Sequence, residues 1–476
     1  MTGFSINTVA VIGAGTMGAG IAQVAAAAGH RVFLYDVAEG AASAGHDRIA
    51  AGLRKQVERG KLVTERAEEI VGLIQVADAL SDFAEASLVI EAIVENLQIK
   101  QRLFAELETL LSEDAILATN TSSISVTAIG AGLKRPERLV GMHFFNPAPI
   151  MKLVEVVSGL ATSPEVARMV HATAESWGKI AVQTKSTPGF IVNRVGRAFY
   201  GEPLRLAEEG VATPATIDAL MREGGGFRMG PFELMDLIGN DVNFAVSTSV
   251  FEAYQYEPRF RPSLMQRELV DAGRFGRKSG QGFYSYAENA QKPDPSFVSA
   301  APHSQAWAET FEFGGEVERD GVLVALTDGR TARQRSSEAG VPVILIDLCD
   351  RGSGKSHIGF TTSSDVPEAT LQAFLATLER DGLKATHLPD WPGLVVLRTL
   401  SLIANEGFEA VLQGVTDEGG VDLAMRFGVN YPHGPMAWAR AIGLARILAI
   451  LDNLFAATGD MRYRASLGLR NAVADA

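Results

Sequence analysis

One cysteine, Cys349, stands in a chain of 476 residues. A single thiol rules out any intrachain disulfide, and such sparing use of cysteine fits a reducing compartment, so a cytoplasmic protein is expected. Basic charge is also short. Lys and Arg number 43 against 56 Asp and Glu, a net charge of −13, with pI about 5.2. Binding a phosphate backbone needs a basic face, so neither nucleic acid nor an anionic membrane is expected as a partner. A small anionic ligand stays open, since it needs only a few local cations. Clean apolar runs of membrane-spanning length are missing too. The stretch 9–28 has no Lys or Arg ahead of it and is punctuated by Gly13, Gly15, Gly18 and Gly20, which does not fit a signal peptide. The stretch 436–454 carries Arg440, Arg446 and Asp452.

What is present is the composition of a globular protein, 47% apolar and 21% charged, in a chain long enough for two to four domains. Short apolar runs at 8–12, 31–35, 73–76, 88–93, 116–119 and 139–144 read as strands. Amphipathic segments at 18–28, 41–59 and 97–111 read as the helices between them. That alternation predicts an α/β Rossmann-type domain over 1–186, a parallel sheet covered on both faces and extended by strands at 152–157 and 180–183. From Pro188 the pattern turns helical, giving an all-α domain over 187–286, and 287–315 reads as a linker. Strands at 322–326, 343–346 and 358–361 suggest a degenerate α/β remnant over 316–390.

An internal repeat organises the rest. A shift of 204 positions aligns Pro188-Gly189 with Pro392-Gly393, Arg194 with Arg398, Gly210-Val211 with Gly414-Val415, Asp218 with Asp422, and Gly230-Pro231 with Gly434-Pro435, with no gap. The helical domain is therefore duplicated, its second copy occupying 391–476.

Three strings carry chemistry. Val9–Ile12 runs into Gly13-Ala14-Gly15-Thr16-Met17-Gly18 and then a helix. This is the strand–turn–helix context in which Gly-x-Gly-x-x-Gly lets a backbone approach a pyrophosphate and offers helix N–H groups to it. Asp36 ends the next strand, where a carboxylate accepts from the ribose hydroxyls and repels a 2′-phosphate, so NAD is expected over NADP. His143 lies at the end of a strand in Gly-Met-His-Phe-Phe-Asn-Pro, and Glu155 is the sole charge in the following apolar run. Such a pair suits oxidation of an alcohol, the imidazole as general base and the carboxylate as its support. A structural histidine with an edge-strand glutamate fits the same spacing. Thr119-Asn120-Thr121-Ser122-Ser123 ends another strand on the same side. Asn193 interrupts an apolar helix, whereas the second copy has Leu397 there, so packing does not demand the asparagine. The string Val343 to Ser356 resembles a phosphate-binding loop, but Cys349 stands where the first glycine belongs, which argues against nucleotide hydrolysis.

Taken in order over residues 7–286, these strings, with Val-Ile-Glu-Ala-Ile-Val-Glu95-Asn-Leu-x-x-Lys100 and Gly276-Arg-Lys278-Ser-Gly, resemble the 3-hydroxyacyl-CoA dehydrogenase family. The resemblance implies NAD-dependent, reversible oxidation of an (S)-3-hydroxyacyl-CoA, with His143 and Glu155 as the catalytic pair. It implies that Ser122 and Asn193 hold the reacting end of the substrate. Cofactor contacts are implied for residues 13–18, Asp36, Glu95, Lys100, Ser122, Asn146 and Lys278. For the CoA phosphate it points to the basic hairpin after the second strand, with Arg59 and Lys61 the residues singled out. A solvated helix face would look the same. No metal is expected. Tandem helical domains resemble those of longer bacterial members that act in phenylacetate degradation, on 3-hydroxyadipyl-CoA, or in butanoyl-CoA metabolism. Two rival readings remain, a dehydrogenase of a free hydroxy acid and an inactive NAD(H)-binding relative. The duplication allows either a monomer with an internal pseudo-dimer or a homodimer.

Overall fold

The computed structural model describes residues 6–308, 314–350 and 357–476. The chain forms two compact units, residues 1–192 with 414–429, and residues 193–413 with 430–476.

Unit 1 is built on eight strands: β1 (Thr8–Ile12), β2 (Arg31–Tyr35), β3 (Ile74–Val76), β4 (Leu88–Glu91), β5 (Ile116–Thr119), β6 (Leu139–Phe144), β7 (Leu153–Ser158) and β8 (Ile180–Lys185). Their order is β3-β2-β1-β4-β5-β6-β7-β8. The first six run parallel, β7 pairs antiparallel with β6, and β8 runs parallel to β7. The final strands thus extend the sheet, as the sequence suggests, but with reversed direction. Helices α1 (Thr16–Ala27), α2 (Ala41–Glu58), α3 (Thr64–Gly72), α4 (Leu97–Leu110), α5 (Val126–Gly130) and α6 (Pro164–Ser176) accompany it. Strands such as β4 and β6 are buried along their whole length, which is why they read as unbroken apolar runs and not as alternations. Two hydrophobic clusters result. One holds Val9, Val11, Ile21, Leu34 and Ile90, the other Ala10, Phe83, Val89 and Phe104.

The helical region begins with α7 (Val192–Val195) and, in unit 2, continues through α8 (Arg197–Glu208), α9 (Pro214–Ala219), α10 (Pro231–Ile238), α11 (Asn240–Ala253) and α12 (Leu264–Asp271). A second sheet follows, from β9 (Glu316–Arg319), β10 (Val322–Leu326), β11 (Val343–Ile346), β12 (His357–Thr362) and β13 (Lys384–His387), in the order β13-β12-β11-β10-β9, with helices α13 (Ala332–Ala339) and α14 (Glu368–Arg380). Then come α15 (Val396–Leu412), α16 (Glu418–Gly428), α17 (Pro435–Ile442), α18 (Leu444–Thr458) and α19 (Leu467–Ala474), of which α16 belongs to unit 1. The stretch read as a linker is docked: Val298 donates its N–H to Ala385, and Ser296 donates its own to Thr216 Oγ1.

The repeat reaches further back than its Pro-Gly marker. A shift of 204 carries the bounds of β7 onto β12, α6 onto α14, and α10 onto α17. In both halves a parallel pair (β5·β6, β10·β11) is followed by an antiparallel pair (β6·β7, β11·β12) and another parallel one (β7·β8, β12·β13). The unusual backbone recurs as well: φ is 74° at Gly189 and 77° at Gly393, 47° at Phe190 and 56° at Leu394, and 106° at Gly239 and 105° at Gly443. At Gly443 the apolar stretch 436–454 bends by 93°, and among the described residues no single helix is long and apolar enough to cross a membrane.

Inside unit 2 the two copies are clasped by reciprocal ion pairs. Arg194 meets Glu406 at 2.5 Å, and its counterpart Arg398 meets Glu202, the counterpart of Glu406. Each glutamate holds a second arginine, Arg259 at 3.0 Å from Glu406 and Arg462 at 3.6 Å from Glu202. All six side chains are nearly or fully buried. The pattern is that of an isologous interface, in which i meets j and j meets i, written within one chain.

Candidate active site

Antiparallel pairing of β6 and β7 sets His143 directly opposite Glu155. The Nδ1 of His143 lies 2.7 Å from Glu155 Oε2. The other carboxylate oxygen accepts the N–H groups of Ile191 at 2.9 Å and Val192 at 3.0 Å. Both side chains are nearly fully buried, so the carboxylate is fixed by the sheet and by the chain entering α7. Since Glu155 Oε2 accepts, the imidazole proton is assigned to Nδ1, which leaves Nε2 with its lone pair. Phe145 and Phe190 pack on the ring, with centroids at 4.6 and 5.7 Å. Glu155 is not on an edge strand, since β7 lies between β6 and β8.

At the carboxyl end of β1, Gly13 has φ of 100°. A Cβ on Gly18 would fall 1.7 Å from the Gly13 carbonyl oxygen, so only glycine lets α1 sit this close to the loop. Gly15 has open space where a side chain would be, and no side chain caps α1. Gly15 and Thr16 are exposed and Met17 half-buried. An uncapped helix start beneath an open glycine is a cradle for phosphate oxygens, and the residues present fit a dinucleotide. Asp36 follows β2 and is already engaged: it accepts the Ala14 N–H at 2.7 Å and the Ala38 N–H at 3.0 Å. It therefore braces the loop while keeping lone pairs for further donors.

Glu95, Lys100 and Ser122 form one network. Glu95 accepts the Ser122 N–H at 2.8 Å and the Thr121 hydroxyl at 3.0 Å. Lys100 lies 3.2 Å from Glu95 and 2.5 Å from Glu91 and is buried. Its ammonium is thus used to hold Glu95 and offers no exposed donor of its own. Glu91, also bonded to Thr119 at 2.7 Å, escaped the sequence reading. Its signal was that of Glu155, a single charge in an apolar strand. Asn120 accepts the Phe144 N–H at 2.8 Å and ties β5 to β6 beside His143. Asn146 is exposed just beyond β6, and Arg59 and Lys61 are exposed in the turn between α2 and α3.

Two of the residues sought lie in unit 2. Asn193 opens that unit, next in the chain to Val192. Lys278, on a short 3-10 turn, pairs with Asp241 at 2.6 Å. In the second half the positions of His143 and Glu155 fall to Asp347 and Gly359, again paired across the sheet. Asp347 accepts from Val395 at 2.9 Å, Val396 at 2.7 Å and Leu397 at 2.9 Å. It does the helix-holding part of Glu155's work with no imidazole. A nearby cavity of about 570 Å³ is lined by Asp350, His433, Trp438 and Arg446 among others. His433 Nε2 lies 3.3 Å from Asp350 there, but the histidine is half exposed and neither residue stands at the positions of His143 and Glu155. Gly354, Lys355 and Ser356 of the loop-like string lie outside the described residues. No metal-binding group of His, Cys, Asp and Glu occurs among the described residues.

Residues 8–187 match the 3-hydroxyacyl-CoA dehydrogenase NAD binding domain family. Residues 189–286 and 393–475 match the C-terminal domain of the same family, so it is matched twice. Residues 324–392 match the 3-hydroxybutyryl-CoA dehydrogenase reduced Rossmann-fold domain. The chain is 47% identical over 461 residues to the 3-hydroxyadipyl-CoA dehydrogenase of Escherichia coli strain K12, covering 97% of this chain and 96% of that one. It is 42% identical to the mitochondrial hydroxyacyl-coenzyme A dehydrogenase of Sus scrofa, over 59% of this chain and 91% of that one. A crystal structure of 3-hydroxybutyryl-CoA dehydrogenase from Escherichia coli K12 superposes with a TM-score of 0.95 at 45% identity, over 99% of each chain. A sheet of Rossmann order, a glycine cradle and a strand-borne His–Glu pair accompany these matches from end to end, and the chain belongs to the NAD-dependent 3-hydroxyacyl-CoA dehydrogenase family.

Proposed function

We propose that His143 and Glu155 carry out the oxidation of an (S)-3-hydroxyacyl-CoA to the 3-oxoacyl-CoA, and the reverse reduction. The observation that carries this is the 2.7 Å contact between His143 Nδ1 and a carboxylate whose other oxygen is held by two backbone amides. Nε2 takes the proton of the substrate hydroxyl, and Glu155 stabilises the imidazolium that forms. Residues 13–18 and Asp36 would hold NAD, which would supply the hydride acceptor for the carbon bearing that hydroxyl. In reduction the imidazolium returns the proton. Ser122, held by Glu95, and Asn193 orient the reacting end of the acyl group. Residues 13–18 and Asp36 seat the cofactor, with Asn146 and Lys278 as further contacts. Arg59 and Lys61 are proposed for the CoA phosphate, on exposure and charge alone.

The relatives are named for two acyl groups, adipyl and butyryl. The experiment is therefore NADH-dependent reduction of acetoacetyl-CoA and of 3-oxoadipyl-CoA, run side by side with 3-oxo free acids. Turnover of thioesters and not of free acids is expected. Turnover of the free acids alone would favour the hydroxy-acid rival, and binding of NADH without any turnover would favour an inactive relative. A reducing cytoplasm is the proposed location, in line with the one cysteine being buried.

A further inference from the structure

Helix α16 belongs by sequence to the second helical copy, but it packs in unit 1 against β7 and β8. The Lys185 N–H donates to the Val415 carbonyl at 3.0 Å and fixes the approach of this helix. Its last residue, Gly428, has ordinary helical backbone, so glycine is not needed there for conformation. Nor is it favoured by propensity, since glycine is among the poorest helix formers. Space decides instead. A Cβ at Gly428 would lie 2.7 Å from Leu153 Cδ2, 2.9 Å from Val192 Cγ2 and 3.6 Å from Phe145 Cζ. Each of these neighbours is joined to the catalytic pair. Leu153 is two residues before Glu155 on β7. Val192 gives Glu155 one of its two backbone N–H groups. Phe145 packs on the His143 ring.

We propose that α16 is the back wall of the catalytic pair and that Gly428 is a positioning residue for it, so the second helical copy shapes the chemistry carried by the first half. This rests on the reading of His143 and Glu155 as the reacting pair. The mechanism is steric. Val192 is β-branched and buried, so it cannot turn aside, and a methyl at 428 moves its amide away from Glu155 Oε1. Glu155 then shifts against His143, and small misplacements of a reacting group are costly in rate.

The pseudo-symmetry supplies a matched control. Gly224, 204 positions earlier, ends the equivalent segment of the first copy and packs on β12. A Cβ there would meet the His357 carbonyl at 2.8 Å and Val396 Cγ2 at 3.6 Å. Behind it stand Asp347 and Gly359, with no reacting pair.

The test is Gly428→Ala, Gly224→Ala and the double variant Gly428→Ala/Val192→Ala in the full chain, with kcat and KM on acetoacetyl-CoA, NADH titration and melting temperature. Gly428→Ala is expected to lose about tenfold or more in kcat, with KM and NADH affinity within about twofold. Gly224→Ala is expected to keep kcat within about twofold even if it melts lower. Removing the Val192 methyls should restore much of the lost rate, because the amide then returns to Glu155. Wild-type kcat in Gly428→Ala, an equal loss in Gly224→Ala, or no recovery in the double variant would each overturn the inference. Glu155→Gln separates the two levels. If it turns over at the wild-type rate, the catalytic-pair reading fails. If it is crippled while Gly428→Ala is not, only the back-wall inference fails.

Discussion

Glu155 has two tasks, and a substitution can part them. Glutamine keeps an acceptor for the Ile191 and Val192 amides but no longer offers a negative charge to the imidazolium. Glu155→Gln should therefore fold and bind NADH while losing rate. His143→Ala should lose roughly 10² to 10⁴ in kcat, the usual contribution of a general base. Stopped assays of kcat beside NADH fluorescence titration check both. Asp36 makes a second prediction. On the proposal that Asp36 meets the adenosine ribose, its remaining lone pairs would accept the ribose hydroxyls and its negative charge would repel a 2′-phosphate. NAD should be preferred over NADP by at least tenfold in kcat/KM, about 1.4 kcal/mol; equal efficiency would remove Asp36 from that role. His357 makes a third. It is fully buried on β12 with its Nε2 2.8 Å from Thr386 Oγ1, and burial holds its pKa down to about 4 against an ordinary 6.5. Below pH 6.5 the unfolded chain takes up a proton that the folded chain refuses. Stability from this group is thus complete above pH 6.5 and drains away as pH falls toward 4, by about 3 kcal/mol in all. His357→Gln should flatten that acid limb of the stability curve, as denaturant melts between pH 7 and 4 would show.

Among the elements, the interlocked arginines and glutamates make the sharpest claim. Glu202 is fully buried, and Arg398 and Arg462 beside it hold its carboxyl below the usual carboxylate range against the opposing effect of burial. Arg398→Met leaves that charge with the Tyr463 hydroxyl at 2.7 Å and only one arginine, the more distant Arg462. A loss of about 3–5 kcal/mol is expected, as for other buried pairs broken on one side. The double change Arg398→Met/Glu202→Met should recover much of it, measured by denaturant midpoint. Sequence alone told a good deal about these elements. The strands of unit 1 were legible because burial on both faces leaves continuous apolar runs, and α1 because glycines punctuate its start. The helical duplication was legible through Pro-Gly and Gly-Pro, residues whose backbone demands keep them in place. The strands over 316–390 were legible too, but that they repeat the last strands of unit 1 was not, because β11 and β12 preserve apolar character without identities, and Asp347 and Gly359 bear no likeness to His143 and Glu155. Direction was also hidden, since an apolar run does not say whether β7 lies parallel or antiparallel to β6. Of the site, His143 and Glu155 could be singled out from spacing, but spacing left a structural reading equally open and only the family resemblance gave them a role. The burial of Lys100 under Glu95 could not be read at all, because a lysine in an amphipathic helix ordinarily faces water.

For the whole molecule, duplication does not mean two active sites. Asp347, Gly359 and Leu397 stand where a second pair and a second Asn193 would be, and no glycine loop precedes them. NADH with acetoacetyl-CoA should saturate at one equivalent per chain by titration calorimetry; two equivalents would refute this. The reciprocal clasp already gives each helical copy the partner that an isologous dimer would supply, so a monomer is expected by light scattering at micromolar concentration. A chain cut after residue 290 loses α15 from the face of α8 and leaves Arg194 without Glu406. That fragment should self-associate, and a well-behaved monomeric fragment would contradict the view of the clasp as an internal dimer contact. The exchange of α16 into unit 1 also sets an order of events in time. Strand β7 leaves the ribosome early, and the helix that covers it is made only after both β12 and α15. Domains normally close as they are synthesised, from the N-terminus onward, but here the part of β7 and β8 that α16 covers stays open until β12 and α15 have been made. If α16 is the back wall of His143 and Glu155, the nascent protein carries a completed cofactor loop long before it carries a competent active site, and its catalytic power waits for a helix made more than two hundred residues after the strand it supports.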